Sequence, residues 1–389
     1  MSDRPIRIAI LVSNLFRIHE NVRKGTEIFV YTFARELYEL NIQPSSGFDI
    51  KFFASGNSDL FYPVESIRNK SSIEDELLSK TSHKLIELAL FAKAFEQKDQ
   101  FDLYHIHVSN GEWVLPFSRL TDKPILITMH GGVDEVYDPN LFEPYKDRKN
   151  IHFVSISNSQ RTRLPDIPYI RTIYHGVDGQ NRFTFSEAGG EYMMWAGRGI
   201  PEKGFHEVIQ LFERTRKPTR VFPIIIDSYL PYLTYHLMDR YERLLDLGSI
   251  EYGVNLSRKD LIPLYQQSKL FLFPLRWEEP FGLVMAESLS CGTPIVAYAR
   301  GSTKEIIKDG ITGFLVNPSD EDIRGEFVIK KTGIEGLQEA VEKIYSLSHE
   351  DYRQMRKNCR KDAEERFSRE RMVKEYLEVY TELTKQALA

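Results

Sequence analysis

The stretch LFLFPLRWEEPFGLVMAESLSCGTP, residues 270–294, decides how this chain reads. LFLFPL (270–275) is a short apolar run of strand type, and Pro280 and Gly282 break it. From about Phe281 the residues read as a helix, with Pro280 suited to its first turn. That helix is almost all small or apolar (Leu283, Val284, Met285, Ala286, Ser288, Leu289, Cys291), which predicts burial on most sides. One carboxylate, Glu287, lies on the stripe shared with Leu283 and Cys291. Ionised in such surroundings it would cost several kcal/mol unless hydrogen-bonded, so either a ligand or an internal Arg or Lys answers it. Glu279 stands just before the helix, beside the free N–H groups of its first turn. It is either a second ligand acceptor or a favourable charge at a helix N-terminus, worth about 0.3–1 kcal/mol. Two acceptors flanking a set of donors suit a hydroxyl-rich ligand.

Working outward, short runs rich in branched and aromatic residues alternate with helical stretches, which predicts parallel sheets with crossover helices. The first part carries strand candidates at 6–13, 48–55, 101–108, 124–130 and 151–158, with helices at 25–40 and 83–96. Phe29, Phe33, Leu37 and Leu40 share one face of the first helix. The polar, glycine-ended FSEAGG (185–190) reads as a linker edge. Strand candidates then restart at 193–197, 220–227, 250–254, 270–275, 294–299 and 313–316, and a charged helical region runs from about 349 to the end. Two doubly wound α/β units predict a ligand site at the carboxyl ends of their strands.

WAGRGIPEKGFHEVI (195–209) reads as strand, glycine turn and helix. Arg198 and Lys203 lie on the turn above a helix N-terminus, where a diphosphate would fit; two solvated charges on an ordinary turn are the alternative. Together with Glu279-Pro280-Phe281-Gly282-Leu283-Val284-Met285-Ala286-Glu287 and the following CGTPIVAYARGSTKEIIKDGITGFLV (291–316), this block resembles glycosyltransferase family 4, a branch of the glycosyl transferases group 1. The resemblance covers roughly 25–40, 101–132, 154–178 and 191–317, and the terminal 367–380 is in keeping with it.

The resemblance implies the GT-B fold: two Rossmann-like domains facing a cleft, here 1–182 and 183–366, with a last helix, 367–389, crossing back to the first domain. It implies a retaining hexosyltransferase that moves a sugar from a UDP- or GDP-linked donor to a hydroxyl acceptor by front-face attack, with no metal and no cofactor. Arg198 and Lys203 would hold the diphosphate, and Glu279 with the N–H groups of Phe281, Gly282 and Leu283 the sugar hydroxyls. Glu287 would bind the ribose diol and Gly253-Val254 the base. His130, ending the strand at 124–130, would sit near the sugar C6 hydroxyl. Gly25 and Thr26 would let the backbone approach the phosphate; Thr26 stands where relatives often carry a second glycine, and it could cap the helix instead. Asp227-Ser228 departs from relatives that have a glycine there. His105 and His107 face one way on a strand but read as structural, with His107 lining the cleft. Asp320-Glu321-Asp322 reads as a solvated loop rather than a metal motif. A GT-B epimerase or hydrolase and a non-catalytic sugar-binding scaffold are the rival readings. The first would need further acid/base groups, and the second would have lost the charged positions.

Composition narrows the class. With 389 residues, 42% hydrophobic and 28% charged, the chain suits two globular domains. Its net charge of −5 divides into −3 over residues 1–170 and −2 over the rest, so neither half offers the basic face that nucleic acid needs. Only Cys291 and Cys359 occur, which excludes a disulfide framework. No apolar run is long enough for a signal peptide or a membrane span, so the expectation is a cytoplasmic protein with at most peripheral membrane contact.

Overall fold

In a computed structural model, residues 4–78, 82–108, 111–131, 139–162, 164–234 and 250–388 are described. The chain divides into two units, Met1–Gly176 with Arg369–Ala389, and Val177–Ser368. In the first unit, strand β1 (Ile6–Val12) leads to helix α1 (Gly25–Glu39). Strands β2 (Phe48–Phe53) and β3 (Val64–Glu65) and helix α2 (His83–Glu96) follow, then β4 (Leu103–His107), β5 (Ile125–Met129), β6 (Ile151–Ser155) and β7 (Tyr169–Thr172). They pair in the order β3-β2-β1-β4-β5-β6-β7, every described pair parallel. The central strands β4 and β5 are buried along their whole length, as in a parallel sheet covered on both faces.

The second unit repeats the plan. Strand β8 (Tyr192–Arg198) is followed by helix α3 (Phe205–Thr215), β9 (Thr219–Ile224), β10 (Ile250–Tyr252), helix α4 (Arg258–Gln266) and β11 (Ser268–Phe273). Next come helix α5 (Leu283–Ser290), β12 (Ile295–Tyr298), β13 (Gly313–Val316) and helices α6 (Gly333–Tyr345) and α7 (His349–Arg366). The parallel order is β10-β9-β8-β11-β12-β13. Trp195, Phe205, Val208, Leu270, Leu337 and Val341 form the core on one face. The final helix α8 (Arg369–Leu388) belongs to the first unit, where Met372, Tyr376 and Tyr380 pack with Ile10, Phe29 and Phe33.

Each sheet has a switch point, where successive connections leave in opposite directions: β1 beside β4, and β8 beside β11. Loops there part and leave a crevice at the carboxyl ends of the strands. Arg198 and Lys203 end or follow β8 and Glu279 follows β11, so these three stand at the second unit's switch point.

Several boundaries differ from expectation. Helix α5 starts at Leu283 because Gly282 takes φ 78°, a left-handed cap, so Pro280 precedes the helix and is not in its first turn. The short β3 and the half-buried β7 carried too little apolar pattern to be read. Segment 185–190 is not a linker edge; it lies in the second unit, where Glu187 pairs with Arg353 and Lys357 and the Ser186 carbonyl accepts from buried Arg356. The chain passes between units at Gly176–Val177 and Ser368–Arg369, against the expected 182–183 and 366–367. A reason is that Val177 N–H donates to the Phe367 carbonyl at 2.8 Å, tying the two ends of the second unit together.

Candidate functional site

In the second unit, β8 ends in exposed Arg198, and a single helical turn (Pro201–Lys203) leads to Gly204 at φ 72°. A side chain at Gly204 would sit 1.9 Å from the Pro274 carbonyl oxygen, so glycine is what allows the loops after β8 and β11 to touch. Trp195 donates its indole N–H to the Lys203 carbonyl at 3.0 Å, fixing that residue's backbone. The Lys203 ammonium lies 2.6 Å from Glu279 Oε2, with both side chains largely buried. Trp277 donates its indole N–H to the same oxygen at 3.0 Å. The cations of Lys203 and Arg198 lie 4.4 and 5.7 Å from the Trp277 ring centroid. The structure thus brings Arg198, Lys203 and Glu279 around one indole.

The peptide of Glu279 is held from behind. Ser302 N–H donates to its carbonyl at 2.9 Å, and a Cβ on Gly301 would lie within 2.4 Å of its backbone. Glu278 accepts from Gly301 N–H at 2.6 Å and from Arg324 at 2.6 Å, and Arg300 bridges Glu278 and Asp322. Asp322 of the acidic triplet is therefore part of an ion-pair network. Phe281 is buried, and Gly282 and Leu283 present N–H groups with no acceptor among the described residues. This leaves a carboxylate, an ammonium and free backbone donors at one helix N-terminus.

Glu287, 2% exposed, is answered internally. Arg258 donates to its Oε1 from Nε at 2.8 Å and Nη2 at 2.5 Å, and the Tyr265 hydroxyl stands 3.5 Å from Oε2. Of the two answers open in the sequence, the internal Arg is present, and it leaves Oε2 with the weaker partner. Gly253 uses its N–H on the Val221 carbonyl at 3.1 Å, so that group is engaged in the sheet; Val254 beside it is exposed. Asp227-Ser228 forms a short helical turn.

In the first unit, Gly25 opens α1 with Lys24 as N-cap and no side-chain cap, so Thr26 is not the cap. The N–H groups of Gly25 and Thr26 have no acceptor among the described residues. His130 follows β5; Gly132 beyond it lies outside the described residues, as does Ser109 after β4. His105 and His107 are fully buried, and His107 Nδ1 lies 3.0 Å from His130 Nε2. His175 completes the group, its ring stacked on His130 at 5.4 Å. Phe29 touches three of these rings, at 5.0 Å from His107, 4.8 Å from His130 and 4.7 Å from His175. Burial lowers His130 to about 3 and holds His105, His107 and His175 well below their ordinary value, so all four are neutral imidazoles near pH 7.

Sequence reasoning missed Trp277, Arg258, His175 and a carboxylate pair, Glu27 and Glu87. Glu87 accepts from Asn14 and Ser13 in the loop after β1, and burial pushes it up to about 7. Glu27 is raised as well, by burial. Among the described residues no group of three or more His, Cys, Asp or Glu could hold a metal ion, and no helix is long and apolar enough to cross a membrane.

Comparison with known proteins bears on this geometry. Residues 180–365 match the family model described as Glycosyl transferases group 1. An uncharacterized 41.2 kDa protein in the cps region of Klebsiella pneumoniae is 26% identical over 83% of this chain and 92% of its own length. O-antigen chain mannosyltransferase B of Escherichia coli is 30% identical over 34% of each chain. Among solved structures, sucrose-phosphate synthase of Thermosynechococcus elongatus superimposes with a TM-score of 0.75 at 18% identity, over 98% of this chain and 100% of that one. Anabaena HepE in complex with UDP and glucose gives 0.69 at 16% identity, over 97% and 100%. Residues 180–365 thus match glycosyl transferases group 1, in a chain with the two-domain GT-B fold.

Proposed function

We propose that this chain is a glycosyltransferase of family 4 that moves a hexose from a nucleotide-diphosphate sugar to a hydroxyl acceptor with retention of configuration. The observation that carries the reading is Lys203 and Glu279 in contact at a helix N-terminus with free N–H donors. An ammonium has three N–H groups, so Lys203 can keep Glu279 while donating to a phosphate oxygen. As the bond between the sugar's anomeric carbon and the phosphate breaks, negative charge grows on the diphosphate. Lys203 and Arg198 offset it, so the step needs no metal. Glu279, with the N–H groups of Gly282 and Leu283, takes the sugar hydroxyls. Glu287 offers Oε2 to the ribose diol, while Arg258 holds the other oxygen. Gly25, Thr26 and His130 are the ligand-contacting residues proposed for the first unit.

The base is proposed as uracil or guanine. UDP and glucose are what the HepE structure contains, and mannose is what the Escherichia coli relative is named for. A cytoplasmic location is part of the same proposal. The test is nucleoside-diphosphate release from a panel of UDP- and GDP-sugars, with and without hydroxyl acceptors. Lys203→Ala should lower turnover by about 10²-fold or more with the fold intact. Near-wild-type turnover in that variant would remove the diphosphate assignment.

A further inference from the structure

Four imidazoles inside the first unit form more than a packed core. Tyr380 of α8 has its hydroxyl 2.6 Å from His105 Nδ1, and His105 Nε2 lies 2.8 Å from Thr128 Oγ1. His107 Nε2 is 3.1 Å from His105 Nδ1, and His107 Nδ1 is 3.0 Å from His130 Nε2. A line of polar contacts therefore runs from the last helix to the carboxyl end of β5. Phe29 packs against His107 and His130 and limits their tilt.

The positions of the hydrogens follow from one end of the line. Tyr380 is fully buried, and His105 Nδ1 is the partner of its hydroxyl among the described residues. A buried O–H without an acceptor costs about 1–3 kcal/mol, so Tyr380 donates and Nδ1 accepts. A neutral imidazole carries one N–H, so the His105 hydrogen sits on Nε2, facing Thr128. His107 Nε2 stands 3.1 Å from the same His105 Nδ1, whose single lone pair it shares with the Tyr380 O–H; two bare nitrogens at that distance would repel, so Nε2 carries the hydrogen and the His107 Nδ1 is bare. His130 Nε2 must then carry the hydrogen in that contact. His130 Nδ1 is left as a lone pair with no partner among the described residues. The opposite arrangement would bury two donors that have no partner among the described residues, the Tyr380 O–H and an Nδ1–H on His130.

We propose that Tyr380, His105 and His107 are positioning residues that fix His130 as the Nε2–H tautomer, so that its Nδ1 meets a ligand hydroxyl as an acceptor. The consequence for turnover rests on His130 being a ligand-contacting residue, as proposed above; the tautomer itself does not. Nδ1 is shielded from solvent, so a hydroxyl reaches it only as its surroundings yield on binding.

Imidazole nitrogen NMR of the full chain with ¹⁵N-histidine, assigned by His130→Gln, reads the tautomer directly. His130 should show its hydrogen on Nε2 at pH 7, and Tyr380→Phe should shift it to a mixture. An Nδ1–H tautomer in the unaltered chain, or no change in Tyr380→Phe, would overturn the proposal. In turnover, His107→Leu should lower kcat about tenfold, the equivalent of one hydrogen bond, with donor KM within about twofold. His107→Asn, which places an amide near the former Nδ1, should recover most of that loss; equal rates in both variants would refute the positioning role. Absence of turnover in the unaltered chain with every nucleotide sugar would refute glycosyl transfer while leaving the tautomer result standing.

Discussion

Mild acid should unfold the first unit before its surface carboxylates matter. His105, His107, His130 and His175 are held neutral by burial, each below the ordinary value of 6.5. Their folded values are depressed, so the unfolded chain binds more protons below pH 6.5, and stability falls as pH falls. At pH 5 each unfolded imidazole gains about 2 kcal/mol from its proton, or roughly 8 kcal/mol for four. Glu87 opposes this. Its folded value is raised to about 7 from 4.5, so the folded state binds the extra proton and gains roughly 2–3 kcal/mol between pH 8 and 5. Glu27, also raised, acts in the same sense. The net loss of roughly 5–6 kcal/mol is comparable with the whole stability of an ordinary domain. Urea titrations followed by hydrogen exchange of peptides covering β4 and β5 report the first unit separately. The urea midpoint should fall steeply from pH 7 to 5, and His130→Gln should flatten the slope by about one proton. A midpoint unchanged over that range would show that these imidazoles are not buried in the neutral form.

Three further outcomes follow from particular contacts. Arg258→Leu leaves Glu287 buried against one weak partner and should cost about 3–5 kcal/mol in denaturant, with most of it regained in Arg258→Leu/Glu287→Leu. Gly301→Ala places a Cβ 2.3 Å from the Glu279 carbonyl oxygen, at φ +56°, and should reduce nucleotide-sugar turnover more than it lowers Tm. Glu87→Gln removes the raised carboxyl, so the variant should exceed the parent in stability at pH 8 by about 1–3 kcal/mol and lose the advantage at pH 5.

The fold was largely legible because it depends on local pattern. Strand and helix periods, and glycine turns such as 197–204, are written within a dozen residues of sequence. The candidate site was legible only in part. Glu287 could be recognised as a buried carboxylate, but Arg258 lies in another helix, and nothing in its neighbourhood marks it as the partner. Trp277 reads as one more aromatic beside a strand until Lys203 and Arg198 are seen against its ring. His105 and His107 looked structural because their neighbours are apolar; the line through Tyr380 depends on a helix 275 residues further along the chain. His175, in a loop with no periodicity, carried no signal at all. The start of α5 differs because Gly282 adopts φ 78°, where a Cβ would press on Met285 and Phe273, and a proline rule does not contain that.

The most direct test of the account is whether the second unit binds a nucleoside diphosphate through Lys203. Calorimetric titration of the full chain with UDP and with GDP, at fixed salt, should show binding of at least one. Lys203→Ala should weaken it by about tenfold or more, since it removes a charged hydrogen bond worth about 1.5–3 kcal/mol. Binding of neither nucleotide, or equal affinity in Lys203→Ala, would contradict the placement of the donor diphosphate beside Glu279.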